Sequence, residues 1–491
     1  MDDDDDDGIF IFRDIFCNPD EADCFAFSFI CPRLLGSTGL QENGVILLLG
    51  LSYRPCYILA MSNPTRSVSS EPLKTPSLSS SKWRGTFAAF QIANYRWFFL
   101  ALCGNFAAMN IQMFIRGWLV FEITGSYEKL GWMTAAGGLV GLIAAPLGGV
   151  VADRVKQKKV ILQVSGVANA LITFWIAALI YQGDLAFIHL LASSVLQGLV
   201  MNAMMPARQA FTKDIVGLDR LTNAIALSTS GMNTARLLLP GLAGGLVAIL
   251  GGGDGNIDPA KWVYFLMALL YLWSAALMTF IVVDDKAESD MPTGSMAREL
   301  RLGFRYVLQT PVIFMLLLCN FLMVFFSLTY FMILPGFAKD VLEAGPERLG
   351  LLISISGVGS LLGSLYIASY GNRKRARILL WGAGIMGISL LLFALSTHYW
   401  LSVIFLSIVG FGQATRMSLS NVLIQSYVDD EFRGRVMSIY MLEMALLSIS
   451  IYPISLLADL YGPQWAVGLS AAGLIILVAI LFNVPSYRDL D

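Results

Sequence analysis

The sequence predicts an all-α integral membrane protein, with twelve transmembrane helices arranged as two pseudo-symmetric six-helix halves. Three observations carry this expectation. The first is composition: 56% of the 491 residues are hydrophobic and 14% are charged, whereas a soluble domain carries about 25% charged residues. The second is a series of twelve apolar stretches, each near or above the ~20 residues needed to cross ~30 Å of hydrocarbon. The third is the placement of Lys and Arg, which fall almost entirely in alternate connections.

The chain begins outside this pattern. Residues 1–60 open with six consecutive acids, Asp2 to Asp7, and then mix Cys, Phe and Pro without helical or strand period. The apolar run Val45–Leu51 is broken by Arg54 and Pro55, well short of a span, and it lacks the basic start of a signal peptide. Met61 opens a Ser/Thr/Pro-rich stretch that reads as a disordered leader. Residues 1–82 are therefore expected to be an extension outside the fold, with Met61 the true start of translation. The alternatives are a disordered acidic tail or a segment lying on lipid. Any peptide from residues 8–60 in native protein would rule out a start at Met61.

From Trp97 the spans are expected at 97–121, 130–152, 160–181, 185–206, 223–250 and 262–283 in the first half. In the second they fall at 312–337, 349–370, 377–396, 399–420, 435–459 and 463–483. The resulting domains are 83–283 and 312–484, with a linker over 284–311 and a tail at 485–491. The linker is the longest connection and carries a charged amphipathic pattern, Arg298, Glu299, Arg301 and Arg305. With both termini on the cytoplasmic side, 21 basic residues lie inside, and only Lys129, Lys261, Lys339 and Arg348 lie outside. That asymmetry sets the orientation. The halves also echo each other. Basic residues follow span 2 (ADRVKQKK) and span 8 (GNRKRAR), as in transporters with duplicated halves.

A charge inside a bilayer costs roughly 2.5–3.5 kcal/mol on insertion scales, so each one calls for a reason. In span 1, Gln112 and Arg116 share a face with Asn110 nearby. They either line a central cavity or let Arg116 snorkel to the outer interface. In span 5, Asn233 and Arg236 precede Pro240, Gly241, Gly244 and Gly245, a broken helix that frees carbonyls and admits a neighbour. They read as cavity lining or as packing. Glu443 is the one acid in the middle of a span, and Arg416 on the preceding span is its candidate partner. The pair is a proton-coupling candidate, because low dielectric favours the neutral carboxyl, or else a structural ion pair. Glu122 and Asp459 lie near span ends, where interfacial water makes a charge cheap. Gly137, Gly141, Gly359 and Gly363 suggest close helix crossings, and Trp118, Trp132, Trp400 and Trp465 suggest interfacial belts.

The loop after span 2 reads Gly149-Val-Val-Ala-Asp153-Arg154-Val-Lys156-Gln-Lys158-Lys159. It resembles the loop 2–3 signature of the major facilitator superfamily, G-x-x-x-D-R-x-G-R-K. Gly149, Asp153, Arg154 and Lys158 match, and Lys156 takes the place of the second glycine. The Pro240 region resembles, with a shifted register, the span-5 motif of proton-driven exporters in that superfamily. Further phrases are similar to its branch of enterobactin-exporter-like and macrolide-efflux-like bacterial transporters: Gly117-Trp-Leu-Val-Phe-Glu, Pro206-Ala-Arg-Gln-Ala, Asn233-Thr-Ala-Arg236 and Arg433-Gly-Arg435-Val-Met437-Ser.

The resemblance covers about residues 83–484. It implies the major facilitator fold and export of amphipathic small molecules, drugs or siderophore-like metabolites, across a bacterial inner membrane. Gly149, Asp153, Arg154, Lys158, Arg433 and Arg435 would then form a gating latch. One proton moving through ~150 mV supplies ~3.5 kcal/mol, enough for roughly a 300-fold gradient of a neutral solute, so H+ antiport suffices. The chain holds no HExxH, CxxC or phosphate-loop motif, and an enzyme, a cofactor, a metal or a nucleic-acid partner is not expected. The expected partners are the bilayer, a small-molecule substrate and H+, with the chain a monomer. An importer or facilitator, or a lipid-handling or sensor protein without transport, are the alternatives.

Overall fold

A computed structural model of the chain describes residues 88–154, 158–282, 296–369, 374–488 and 490. Side chains are described throughout these except at 142–154, 218, 296–300, 368–369, 441–447 and 449–450. Residues 1–82 of the expected extension, and residues 284–295 of the expected linker, lie outside the described residues.

The first half comprises α1 (Ala93–Thr124), α2 (Tyr127–Arg154), α3 (Lys158–Gln182), α4 (Phe187–Gly217), α5 (Asp219–Ile249) and α6 (Ala260–Leu277). A connecting helix, α7 (Met296–Gln309), leads into the second half. That half contains α8 (Pro311–Asp340), α9 (Pro346–Ser369), α10 (Arg375–Leu395), α11 (Tyr399–Tyr427), α12 (Arg433–Tyr461) and α13 (Pro463–Phe482). A final turn, α14 (Pro485–Arg488), follows. Among the described residues, ten helices are long and apolar enough to cross a membrane. Helices α2 and α12, with 28 and 29 residues, are the other two long elements, and their side chains are only partly described.

Local chemistry sets these boundaries. Gly125 ends α1 in the left-handed conformation at φ 61°, with its N–H on the Phe121 carbonyl, as a glycine C-terminus does. Gly217, at φ 70°, breaks the chain between α4 and α5, which then run antiparallel. Proline opens α8 and α13, where a missing N–H costs nothing. At 1.5 Å per residue the 32 residues of α1 reach about 48 Å, so its ends extend beyond the ~30 Å hydrocarbon layer.

Short connections make successive helices antiparallel, so each half presents two ends. One carries the α1–α2 connection, the other the α2–α3 connection. The outer surface is apolar, with Leu171, Leu242, Leu365, Leu395 and Ile476 exposed, which is the surface a bilayer solvates. Trp132, Trp400 and Trp465 are exposed near helix ends, as an interfacial belt requires. Trp118 departs from the expectation: it is 5% exposed and packs in the core. The crossings expected at Gly359 and Gly363 are present, because a Cβ on either would run into the α11 backbone at Ser407 or Phe411.

Candidate functional site

The two halves meet along α2–α12, α5–α9 and α1–α8. The described contacts between them concentrate at the α1–α2 end. Glu122, at the end of α1, accepts from Lys339 of α8 at 2.9 Å and from the Gly255 N–H at 2.6 Å. Its side chain is 3% exposed and that of Lys339 is 42% exposed, so the acid is enclosed and the amine reaches in from the rim. Tyr127 donates its hydroxyl hydrogen to Asp340 at 2.7 Å. Tyr452 of α12 donates to Glu128 at 3.0 Å, and its ring packs on Trp132, with centroids 4.8 Å apart.

Asp459, in the last turn of α12, closes this group. Its carboxylate accepts from the Ser126 hydroxyl at 2.7 Å and from the backbone N–H groups of Tyr127 and Glu128, at 2.7 and 2.8 Å. The first amides of α2 have no partner within their own helix, so an acid from the opposite half caps them, with the helix dipole in its favour.

Small residues allow this approach. A Cβ on Gly350 of α9 would collide with the Pro240 carbonyl of α5, and one on Gly244 with the Pro346 carbonyl. A Cβ on Gly131 would sit 2.6 Å from Cβ of Ser455. The Pro240 segment therefore makes a cross-half helix crossing, with the Gly241 N–H donating to the Ser354 hydroxyl at 3.0 Å. Beside this contact lies a cavity of about 290 Å³, lined by Trp118, Phe121, Glu122, Asp254, Lys339 and Glu343 among others.

The α2–α3 end differs. The described polar contacts there stay within one half. Lys158 pairs with Asp214 at 2.7 Å, and Lys159 donates to the Thr279 and Ile281 carbonyls. Arg433 pairs with Asp430 at 2.6 Å, and Arg435 reaches Glu431 at 3.7 Å while lying over the Phe432 ring. Gly149 lies within α2, and the side chains of Asp153, Arg154 and Glu443 lie outside the described residues.

The remaining sequence candidates separate into two groups. Gln112 accepts from the Tyr271 hydroxyl at 2.9 Å and donates to Gln197, joining α1 to α6 and α4 inside the first half. Arg116 faces the same interior, near Tyr264 and Tyr271, with its Nε and one Nη buried and without a hydrogen-bond partner. Asn110 donates to the Phe106 carbonyl of its own helix. The described partners of Gln112, Arg116 and Asn110 all belong to the first half.

Asn233 and Arg236 are exposed, whereas Pro240 is buried. On α5 the exposed polar residues Thr229, Ser230, Asn233 and Arg236 lie opposite the exposed apolar face of Leu238, Leu242 and Ile249. Arg236 also acts electrostatically on Tyr330 of α8, so the polar face looks towards the other half and the apolar face towards lipid. On α11, Gln413, Met417, Asn421 and Gln425 form a partly exposed stripe at i, i+4 spacing, opposite the exposed Leu401, Ile404 and Ile408. Arg416, 1% exposed, faces inward instead and donates to Asn320 of α8 at 3.4 Å. It acts electrostatically on Tyr487 in α14. Burial pushes that phenol up, and Arg416 opposes the shift.

Sequence reasoning passed over Glu122 and Asp459 because acids at span ends are inexpensive. No local signal marks a partner more than 200 residues away. The opposed faces of α5 could have been found by plotting polar and apolar positions at 100° per residue.

Comparison with known proteins agrees with this architecture. The sequence profile of the Major Facilitator Superfamily matches residues 98–441 and 316–489. Macrolide efflux protein A of Streptococcus pyogenes is 25% identical over 392 residues, covering 78% of this chain and 93% of that protein. Enterobactin exporter EntS of Escherichia coli is 24% identical over 339 residues, covering 69% and 76%. Among solved structures, the nucleoside transporter NupG aligns with a TM-score of 0.62 at 13% identity, covering 79% of this chain and 98% of that one. An inward-facing, unoccupied bacterial homologue of the human lysosomal transporter Spinster aligns with a TM-score of 0.64 at 13% identity, covering 84% and 98%. With the profile spanning well over half the sequence and the two halves meeting as described, the chain belongs to the major facilitator superfamily, as a membrane transporter and not an enzyme.

Proposed function

We propose that the chain is a proton-coupled antiporter that exports amphipathic small molecules across the bacterial inner membrane by alternating access. In this reading both termini are cytoplasmic, the α1–α2 end is external, and the arrangement described is the externally closed state. The observation that carries the proposal is the clasp of Glu122–Lys339, Tyr127–Asp340 and the Asp459 cap. It joins the halves at one end, while the described contacts at the other end remain within a half. Similarity to a macrolide efflux protein and an enterobactin exporter supports the export direction and a small-molecule substrate.

The exposed polar faces of α5 and α11 are assigned to the substrate path, with Asn233 and Arg236 its charged and polar floor. Asn110, Gln112 and Arg116 support α1 from behind. Asp153, Arg154, Arg433 and Arg435 are assigned to the opposite gate, with Gly149 giving close approach and Lys158 anchoring α3. Glu443 is the proton-carrying candidate, with Arg416 holding the neighbouring α11 in place.

Drug and dye accumulation in a pump-deleted bacterial host tests the function. Lower accumulation that is abolished by a protonophore, and by Glu443→Gln, is expected. Export that survives the protonophore rejects proton coupling, and export that survives Glu443→Gln rejects that residue. Accumulation unchanged across a broad panel of amphipathic compounds rejects export.

A further inference from the structure

Helix α7 joins the halves, and its two faces differ in kind. Gly303, Tyr306 and Val307, at i, i+3 and i+4, dock on the second half. The Tyr306 ring stacks on Phe432 with centroids 4.1 Å apart and planes 1° from parallel, and its hydroxyl donates to Asp429 at 2.9 Å. A Cβ on Gly303 would sit 3.0 Å from Cβ of Arg435, and Val307 is buried.

The opposite face holds Arg301, Phe304, Arg305 and Leu308, at i, i+3, i+4 and i+7, all exposed, with Leu308 at 69%. Neither Arg301 nor Arg305 forms an ion pair with a described residue. The acids of the adjoining loop are engaged elsewhere: Asp429 with Tyr306, Asp430 with Arg433, and Glu431 with Arg435.

This face suits neither water nor hydrocarbon alone. A water-facing stripe gains nothing from Phe and Leu, and a buried one would exclude two guanidinium groups that have no described acid beside them. A basic and apolar stripe fits the boundary between acyl chains and headgroups. Its position agrees: Thr310 is the single extended residue between α7 and Pro311 of α8, so Leu308 lies three residues from a long apolar helix.

We propose that α7 lies in the membrane interface and binds anionic phospholipid, with Phe304 and Leu308 among the acyl chains and Arg301 and Arg305 on the lipid phosphates. Through the Tyr306–Phe432 stack, the bound lipid also holds the start of α12. The inference does not depend on the substrate or on the direction of transport.

Hydrogen exchange of residues 296–309 tests it, in the full chain reconstituted in nanodiscs of phosphatidylcholine alone or with about one third phosphatidylglycerol. Each arginine near an anionic surface adds about 1 kcal/mol, a factor of ~5. Exchange is therefore expected to slow at least ~5-fold with phosphatidylglycerol, and the difference to vanish in Arg301→Gln/Arg305→Gln. Leu308→Ser is expected to speed exchange in both lipids, while exchange in α1 and α13 stays unchanged and shows that the fold is intact. Equal exchange in the two compositions overturns the proposal, as does a difference that survives the double substitution. Glycerol phosphate reproducing the effect in phosphatidylcholine discs would point to a free anion and overturn the lipid assignment.

Discussion

The two ends of the helical bundle are held together differently. At the α1–α2 end, an acid of each half finds its partner in the other: Glu122 with Lys339, and Asp459 with the first amides of α2. At the α2–α3 end, Lys158, Arg433 and the docked α7 all find described partners without crossing between halves. Among the described residues, the polar contacts at the α2–α3 end stay within a half, and those that join the halves lie at the α1–α2 end. That joint is built from terms of modest size. An exposed pair contributes up to about 1 kcal/mol and a helix cap about 1 kcal/mol. In the proposed alternating-access cycle, two states must lie within a few kcal/mol of each other, and a joint made of small increments meets that requirement where a fused core would not.

The largest effect is expected from overfilling the joint. In Gly350→Ala, the new Cβ meets the Pro240 carbonyl, and the crossing must open. Overpacking costs about 1–3 kcal/mol, which would shift the balance of states roughly 5- to 150-fold towards separation at this end. Spin-label distances between the α5–α6 and α10–α11 connections would lengthen. Gly359→Ala makes a closer clash still, but with α11 of its own half. It is expected to lower thermal stability and leave the distance distribution alone. If both substitutions act only on stability, the two ends do not differ in the way proposed.

Removing the cross-half cap comes next. Asp459→Asn keeps an acceptor oxygen but loses the charge opposite the α2 dipole, an effect of about 1 kcal/mol at this exposed position. The amides of Tyr127 and Glu128 should then exchange about 5-fold faster, because their protection requires the halves to be joined. Unchanged exchange would mean that Asp459 decorates a contact held by the glycine crossings alone.

What could be read in the sequence divides along the same line. The helices were legible because each is a long apolar run closed by Gly, Pro or charge, a signal contained in neighbouring residues. The crossing glycines Gly359 and Gly363 were legible for the same reason. Glu122 and Asp459 were not, since their meaning lies in a partner on the opposite half. Arg116 was ambiguous because its spacing with Gln112 names a face without saying what that face meets. The structure turns that face towards Tyr264 and Tyr271 inside the first half. Arg236 was legible as an in-span charge, but the separation of polar and apolar faces on α5 explains why it is tolerated there.

The Glu122–Lys339 pair should contribute less than the cap. Lys339 is 42% exposed, and solvent screening holds a pair of this kind to about 0.5–1 kcal/mol. A double-mutant cycle with Glu122→Gln and Lys339→Met, read by the same spin-label distances, should return a coupling of that order that shrinks as salt is added. A coupling insensitive to salt would place the pair in a drier environment than the rim of the cavity.

The smallest effect on access is expected from Lys158→Met. Lys158 and Asp214 pair at 2.7 Å with side chains 24% and 19% exposed, and both belong to the first half. Loss of the pair should cost that half about 1 kcal/mol or less, seen as a small fall in thermal stability. Because the contact does not cross between halves, the ratio of access states should stay where it is. The result separates two roles within one loop. Lys158 matches the superfamily signature together with Gly149, Asp153 and Arg154, and a matched motif alone would assign all four to the gate. If the ratio of states moves when Lys158 is replaced, the loop acts as one gating unit. If only stability falls, Lys158 belongs to the scaffold that positions the gate, and the α2–α3 end is built as two separately stabilised surfaces free to part.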